Sequence, residues 1–196
     1  LLTYEEKQLQ WAIWQGFFLL ILIGLGFVLV FRFGEMIPFL QSLFISEKYS
    51  LALQLPAGVA IGLLVGFVTL SLLKWTNTTL PENELADLLR TILSKPVGFV
   101  PVVIGAPLVE EFLFRGVFIG LFLDVVPTWI LLLVNALLFM LVHVPQYKGM
   151  PILHGIIFFV GLLLAYLFIV TGALIVSILV HAVYNLVVGM AMRRMA

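Results

Sequence analysis

Apolar residues fill this chain in long, nearly unbroken runs. Trp11 to Phe31 and Leu51 to Leu73 are the first two. Val97 to Leu123, Pro127 to Val144, Ile152 to Val170 and Leu174 to Met192 are the other four. About 20 such residues, rising 1.5 Å each, cover about 30 Å of bilayer hydrocarbon. Lipid offers the backbone no partner, so each run predicts a spanning helix. The expected fold is an all-α polytopic bundle of about six transmembrane helices. The first run is too long for a cleavable signal, and Glu5 and Glu6 beside Lys7 give it the wrong flank. Gly62 and Gly66 form a small-xxx-small pair, which predicts close helix packing. The third run, at 27 residues, exceeds one span and predicts a tilt, a bend at Pro107 or a re-entrant start.

Polar segments separate the runs. Lys74 to Glu84 reads as a hinge broken by Pro81. Glu84 to Lys95 places Leu85, Leu88, Leu89, Ile92 and Leu93 at helical spacing, which predicts an amphipathic helix along the interface. The chain reads as one membrane-embedded domain over 1–196. Residues 1–96 hold two spans and the hinge, and 97–196 hold a four-span core. It begins at Leu1 rather than a methionine, which leaves room for an upstream segment.

Composition sharpens this reading. Of 196 residues, 63% are hydrophobic and 10% charged, too few charges to cover a water-facing surface. Zero cysteines exclude disulfides and a thiol nucleophile. The net charge of zero and the lack of a basic block exclude nucleic acid as a partner. Seven Lys and Arg residues fall on one side of the predicted topology and two on the other, which places both termini in the cytoplasm. The tenth base, Arg115, lies inside a span.

Ionisable groups within spans are costly and usually face a bundle interior. The third run carries Glu110, Glu111 and Arg115. Glu111 and Arg115 are spaced i, i+4 and are expected to pair. Glu110 lies about 100° around the helix and is left over. A carboxylate alone in a dry site suits general acid–base work. Pro107 loosens the ladder one turn earlier, which would admit water beside it. His143 ends the fourth run, and His181 and Asn185 share a face of the last. The alternative is structural: an ion cluster between helices and a histidine–asparagine bond linking two of them. His154 has no polar companion at helical spacing and reads as a loop or interface residue. Thr69, Ser71, Asn135 and Ser177 are expected to bond their own helix backbones.

Taken together, Glu110-Glu111-Phe112-Leu113-Phe114-Arg115, then Phe139 to His143, then His181 to Asn185 form an ordered pattern. It resembles the type II CAAX prenyl endopeptidase family, also called the CPBP or Abi family of intramembrane proteases. The short length resembles the bacterial branch. The resemblance implies that Glu110 and His143 hold and activate a water. It implies that His181 and Asn185 stabilise the oxyanion, and that Glu111 and Arg115 support the site. No covalent nucleophile, cofactor or metal is expected. The implied partners are the lipid bilayer and a membrane-associated peptide, CAAX-like and prenylated or a bacteriocin or signal peptide. Three other readings compete. One is a zinc hydrolase with Glu110, His143 and His181 as ligands. Another is a non-proteolytic immunity or regulatory scaffold. A transporter is the third, although no inverted repeat supports it.

Overall fold

The computed structural model describes residues 3–78, 84–93, 98 and 100–195. Its elements are helical, and no strand occurs among the described residues. Helix α1 (Tyr4–Phe31) is followed by a 3-10 turn (Phe33–Glu35) and the short α2 (Met36–Ser42). Then come α3 (Leu51–Trp75) and α4 (Glu84–Leu93). A composite rod runs through π1 (Val100–Gly105), α5 (Ala106–Glu111), π2 (Phe112–Ile119) and α6 (Gly120–Phe122). Helices α7 (Thr128–His143), α8 (Pro151–Thr171) and α9 (Leu174–Met195) complete the bundle.

Lys7–Phe31, Leu51–Trp75, Pro151–Thr171 and Leu174–Arg193 are each long and apolar enough to cross a membrane. They correspond to the first, second, fifth and sixth expected spans. The fourth, α7, has 16 residues, about 24 Å of helix and shorter than the hydrocarbon core. The third is the composite rod, and its expected start at Val97 lies outside the described residues. The expected end of the amphipathic helix at Lys95 and its hinge breaker Pro81 lie outside them too. Helix α1 starts earlier than Trp11, and α2 adds a short helix between the first two spans.

Burial is inverted, as a lipid solvent requires. Phe18, Leu64, Phe67, Val68 and Phe159 are exposed, whereas Glu111, Arg115, Asn135 and His181 are buried. Apolar side chains at helical spacing on α8 (Leu153, Ile156, Val160, Leu164 and Leu167) pack on Val176 and Val180 of α9. Gly172, at φ +72°, ends α8 in the left-handed conformation, and its N–H bonds the Phe168 carbonyl at 2.8 Å. This lets the chain turn at once into α9. On the same side, the Leu174 N–H bonds the Leu43 carbonyl at 2.7 Å.

Helix α9 is the hub, touching α3, α4, α5, α8 and both π segments. Its longest contact is with α3, and glycines make it possible. A Cβ at Gly58 would stand 2.8 Å from Leu179 Cβ, one at Gly62 2.7 Å from Val183 Cβ, and one at Gly66 2.8 Å from Val187 Cβ. Three missing side chains on one stripe thus receive three residues at the same spacing on α9. Gly62→Ala should therefore cost about 1–3 kcal/mol by overpacking, because the Val180 carbonyl, 2.9 Å away, is backbone and cannot turn aside. Gly16→Ala, with no atom within 4 Å, should be neutral or slightly stabilising. Thermal unfolding in detergent should separate the two variants by several degrees.

Candidate active site

Proline shapes the rod that carries the acids. In the i→i+5 register of π1, the N–H due to meet the Val102 carbonyl belongs to residue 107, a proline without one. That carbonyl instead accepts the Asn185 side-chain amide of α9 at 3.0 Å. A buried carbonyl needs a partner, so the irregular turn and the α9 asparagine answer each other. This contact sets α9 against the rod about two turns before the acids.

Glu111 is completely buried and pairs with Arg115 as expected: Arg115 Nη1 donates to Glu111 Oε1 at 3.0 Å. The same oxygen accepts His181 Nδ1 at 2.8 Å. Arg115 also donates from Nη2 to the Gly161 carbonyl of α8 at 2.9 Å and lies 4.4 Å above the Phe139 ring. One ion pair therefore ties the rod to α7, α8 and α9. Thus the expected pairing partner of Arg115 is also the orienting group of an imidazole.

Glu110 points the other way. Its Oε2 is buried, has no hydrogen-bond partner, and stands 3.9 Å from His143 Nε2 and 3.8 Å from His181 Nε2. Both separations exceed a direct hydrogen bond and leave room for a bridging molecule. The far side of each ring is occupied. His143 Nδ1 donates to the Phe139 carbonyl at 2.7 Å, and His181 Nδ1 donates to Glu111. In their neutral forms, then, both rings turn an Nε2 lone pair toward the same carboxylate oxygen. Phe139 touches both, its centroid 4.8 Å from that of His143 and 5.8 Å from that of His181.

Glu110, His143, His181 and Asn185 line one cavity of about 200 Å³. Several waters or a short stretch of peptide fit such a volume. Leu93 of α4, Gln146 and Tyr147 of the α7–α8 turn, and Met192 near the end of α9 also line it. The cavity therefore reaches toward the face where α7 and α9 end and α8 begins. As possible metal ligands, His143 and His181 each stand wider from Glu110, at 3.9 and 3.8 Å, than the roughly 3.3 Å between ligands around a tetrahedral zinc. No group of three or more His, Cys, Asp or Glu among the described residues has metal-ligand spacing.

One expectation needs correction. Asn135 does not bond its own helix; its amide reaches across to the Phe114 carbonyl of π2 at 2.6 Å. The neighbouring helix presents a polar group within reach, which in a dry interior competes well with the residue's own backbone. Ser177 does bond its own helix, at the Leu174 carbonyl. His154 sits in the first turn of α8 and is not part of the cavity lining. Sequence reasoning passed over Tyr147 and Tyr184, which both line the cavity. Tyr184 carried a signal, since it follows His181 by three residues and shares its helix face. Tyr147 lies in a turn, where periodicity is silent.

No curated protein and no solved structure was found to match the chain. A family model described as type II CAAX prenyl endopeptidase Rce1-like matches residues 92–187. That span takes in the last two residues of α4, the composite rod, α7, α8 and the part of α9 that carries His181 and Asn185. Over residues 92–187, which include Glu110, His143, His181 and Asn185, the chain is similar to the Rce1-like type II CAAX prenyl endopeptidase family.

Proposed function

We propose that this protein is a glutamate-type intramembrane endopeptidase that hydrolyses a peptide bond of a membrane-associated substrate without a covalent intermediate. The observation that carries the reading is the unpartnered Glu110 Oε2, buried and facing two imidazole nitrogens across gaps of 3.8 and 3.9 Å. The family implies CAAX-type intramembrane protease activity, and the cavity chemistry supports it.

A water between Glu110 and His143 gives a proton to this pair as its oxygen attacks the peptide carbonyl carbon. The carbonyl oxygen becomes an oxyanion. His181, when its ring carries both protons, donates to it from Nε2, and Asn185 donates the amide hydrogen not spent on Val102. The proton taken from water then passes to the amine nitrogen as the C–N bond breaks. Glu111 and Arg115 hold His181 in register throughout. The protein is a multi-pass membrane protein; the seven-to-two distribution of basic residues supports cytoplasmic termini and a cavity that opens on the cytoplasmic side.

The test is a peptide library offered to purified protein in detergent, CAAX-like prenylated and unmodified peptides included, beside Glu110→Ala. Cleavage by the wild type alone is expected, and no cleavage of any peptide would overturn the reading. Chelation separates this mechanism from the zinc alternative. Activity should survive dialysis against a strong chelator, with far less than one zinc per chain by elemental analysis. Stoichiometric zinc whose removal abolishes cleavage would favour the alternative.

A further inference from the structure

The donors assigned to the oxyanion are partly committed elsewhere. His181 Nδ1 is held by Glu111, so the neutral ring offers the cavity a lone pair rather than a proton. Asn185 spends one amide hydrogen on the Val102 carbonyl. A tetrahedral intermediate needs donors already aimed at its oxygen, and the usual contribution of each is large. Resting on the reading above, we propose that Tyr147 is a further catalytic residue, whose phenol hydroxyl donates a hydrogen bond to the oxyanion formed from the scissile carbonyl.

Four observations support this. Tyr147 lines the same cavity as Glu110, His143, His181 and Asn185. Its oxygen accepts the Gln146 side-chain amide at 2.9 Å, which occupies a lone pair and leaves the hydroxyl hydrogen to point elsewhere. Its ring is wedged against the apolar cluster formed by α8 and α9, where Tyr184 also packs, so the hydroxyl is held rather than free to swing. The Tyr147 N–H bonds the His143 carbonyl at 3.2 Å, which couples the turn to the end of α7 and keeps phenol and imidazole on one short piece of chain.

The protonation state fits the role. Burial raises the Tyr147 phenol above its ordinary value of 10.0; Tyr184 and Glu110 push it the same way, against the bond from Gln146. The group therefore stays neutral through physiological pH and acts as a donor without giving up its proton. No bond to hydrogen breaks at Tyr147 in the cycle.

The experiment compares wild type, Tyr147→Phe and Glu110→Gln on one cleaved peptide and on a phosphinate analogue of that peptide, whose tetrahedral oxygens mimic the intermediate. Tyr147→Phe should lower kcat about 100-fold, leave KM within about twofold, and weaken phosphinate binding by the same factor as kcat. The loss should be equal from about pH 6 to pH 9, since neither variant titrates there at residue 147. A kcat within twofold of wild type overturns the proposal. So does a KM that rises while kcat is unchanged, which would make the phenol a packing group. Should Tyr147→Phe unfold, Gln146→Leu releases the phenol from its orienting donor and should lower kcat alone; an unchanged kcat there counts against the role. Full activity in Glu110→Gln would sink the wider reading instead, so the two failures are distinct.

Discussion

Glu110→Gln is expected to lose about 10³- to 10⁴-fold in kcat while keeping its fold and its thermal stability. The substitution is nearly isosteric. It removes a base and leaves an amide in a position where the acid's Oε2 had no hydrogen-bond partner. An amide costs less to bury than an ionised carboxylate, so unfolding in detergent should occur at the same temperature or slightly higher. This pairing of results separates catalysis from architecture. Were Glu110 a member of a structural ion cluster, the variant would lose stability and activity together. Single-turnover cleavage beside a melting curve reads both quantities, and undiminished cleavage by Glu110→Gln would falsify the mechanism.

Arg115→Met should act in the opposite order, destabilising first and inactivating as a consequence. The guanidinium pairs with Glu111 at 3.0 Å, bonds the Gly161 carbonyl at 2.9 Å and stacks 4.4 Å from the Phe139 centroid, and it is fully buried. Methionine removes all three contacts and leaves the Glu111 carboxylate buried with His181 alone. Breaking one side of a buried pair typically costs about 3–5 kcal/mol, because the remaining charge has lost its compensation. The cost should be visible as a drop in melting temperature large enough to lower the yield of folded protein. The double variant Glu111→Leu, Arg115→Met should recover much of that stability, since no lone charge remains. It should stay inactive, because His181 has lost the acceptor on its Nδ1. A double variant no more stable than Arg115→Met would mean that the arginine acts through packing rather than charge.

These two outcomes place the adjacent acids in different roles. Glu111 is held by two donors on one oxygen and cannot easily give up its place. Glu110 is one position further back on the same helix and has nothing to hold. The backbone turn of about 100° between neighbours is what separates a supporting carboxylate from a reactive one. A further consequence concerns α3, which carries none of the motif residues. Its glycines set how closely α9 approaches and, through α9, where His181 and Asn185 stand against the rod.

Much of this protein was legible from residue order alone. Lipid permits few backbone solutions, so runs of apolar residues announce helices with little ambiguity, and α1, α3, α8 and α9 follow the expected spans. The expense of burying charge made Glu110, Glu111, Arg115, His143, His181 and Asn185 conspicuous among so many aliphatic neighbours. The i, i+4 relation of Glu111 to Arg115 is a property of one helix and needed no fold to be seen. Other features belong to tertiary structure. That His181 shares the Glu111 oxygen with Arg115, that Asn185 caps the carbonyl Pro107 leaves open, and that Asn135 bonds a neighbouring helix all depend on how separate helices meet. So does the presence of Tyr147 in the cavity, because a turn has no periodicity to declare which way its side chains face. Local order along the chain determined which groups lie in the membrane; only the packing of helices, fixed by missing glycine side chains and widened π turns, decided which of those groups face one another.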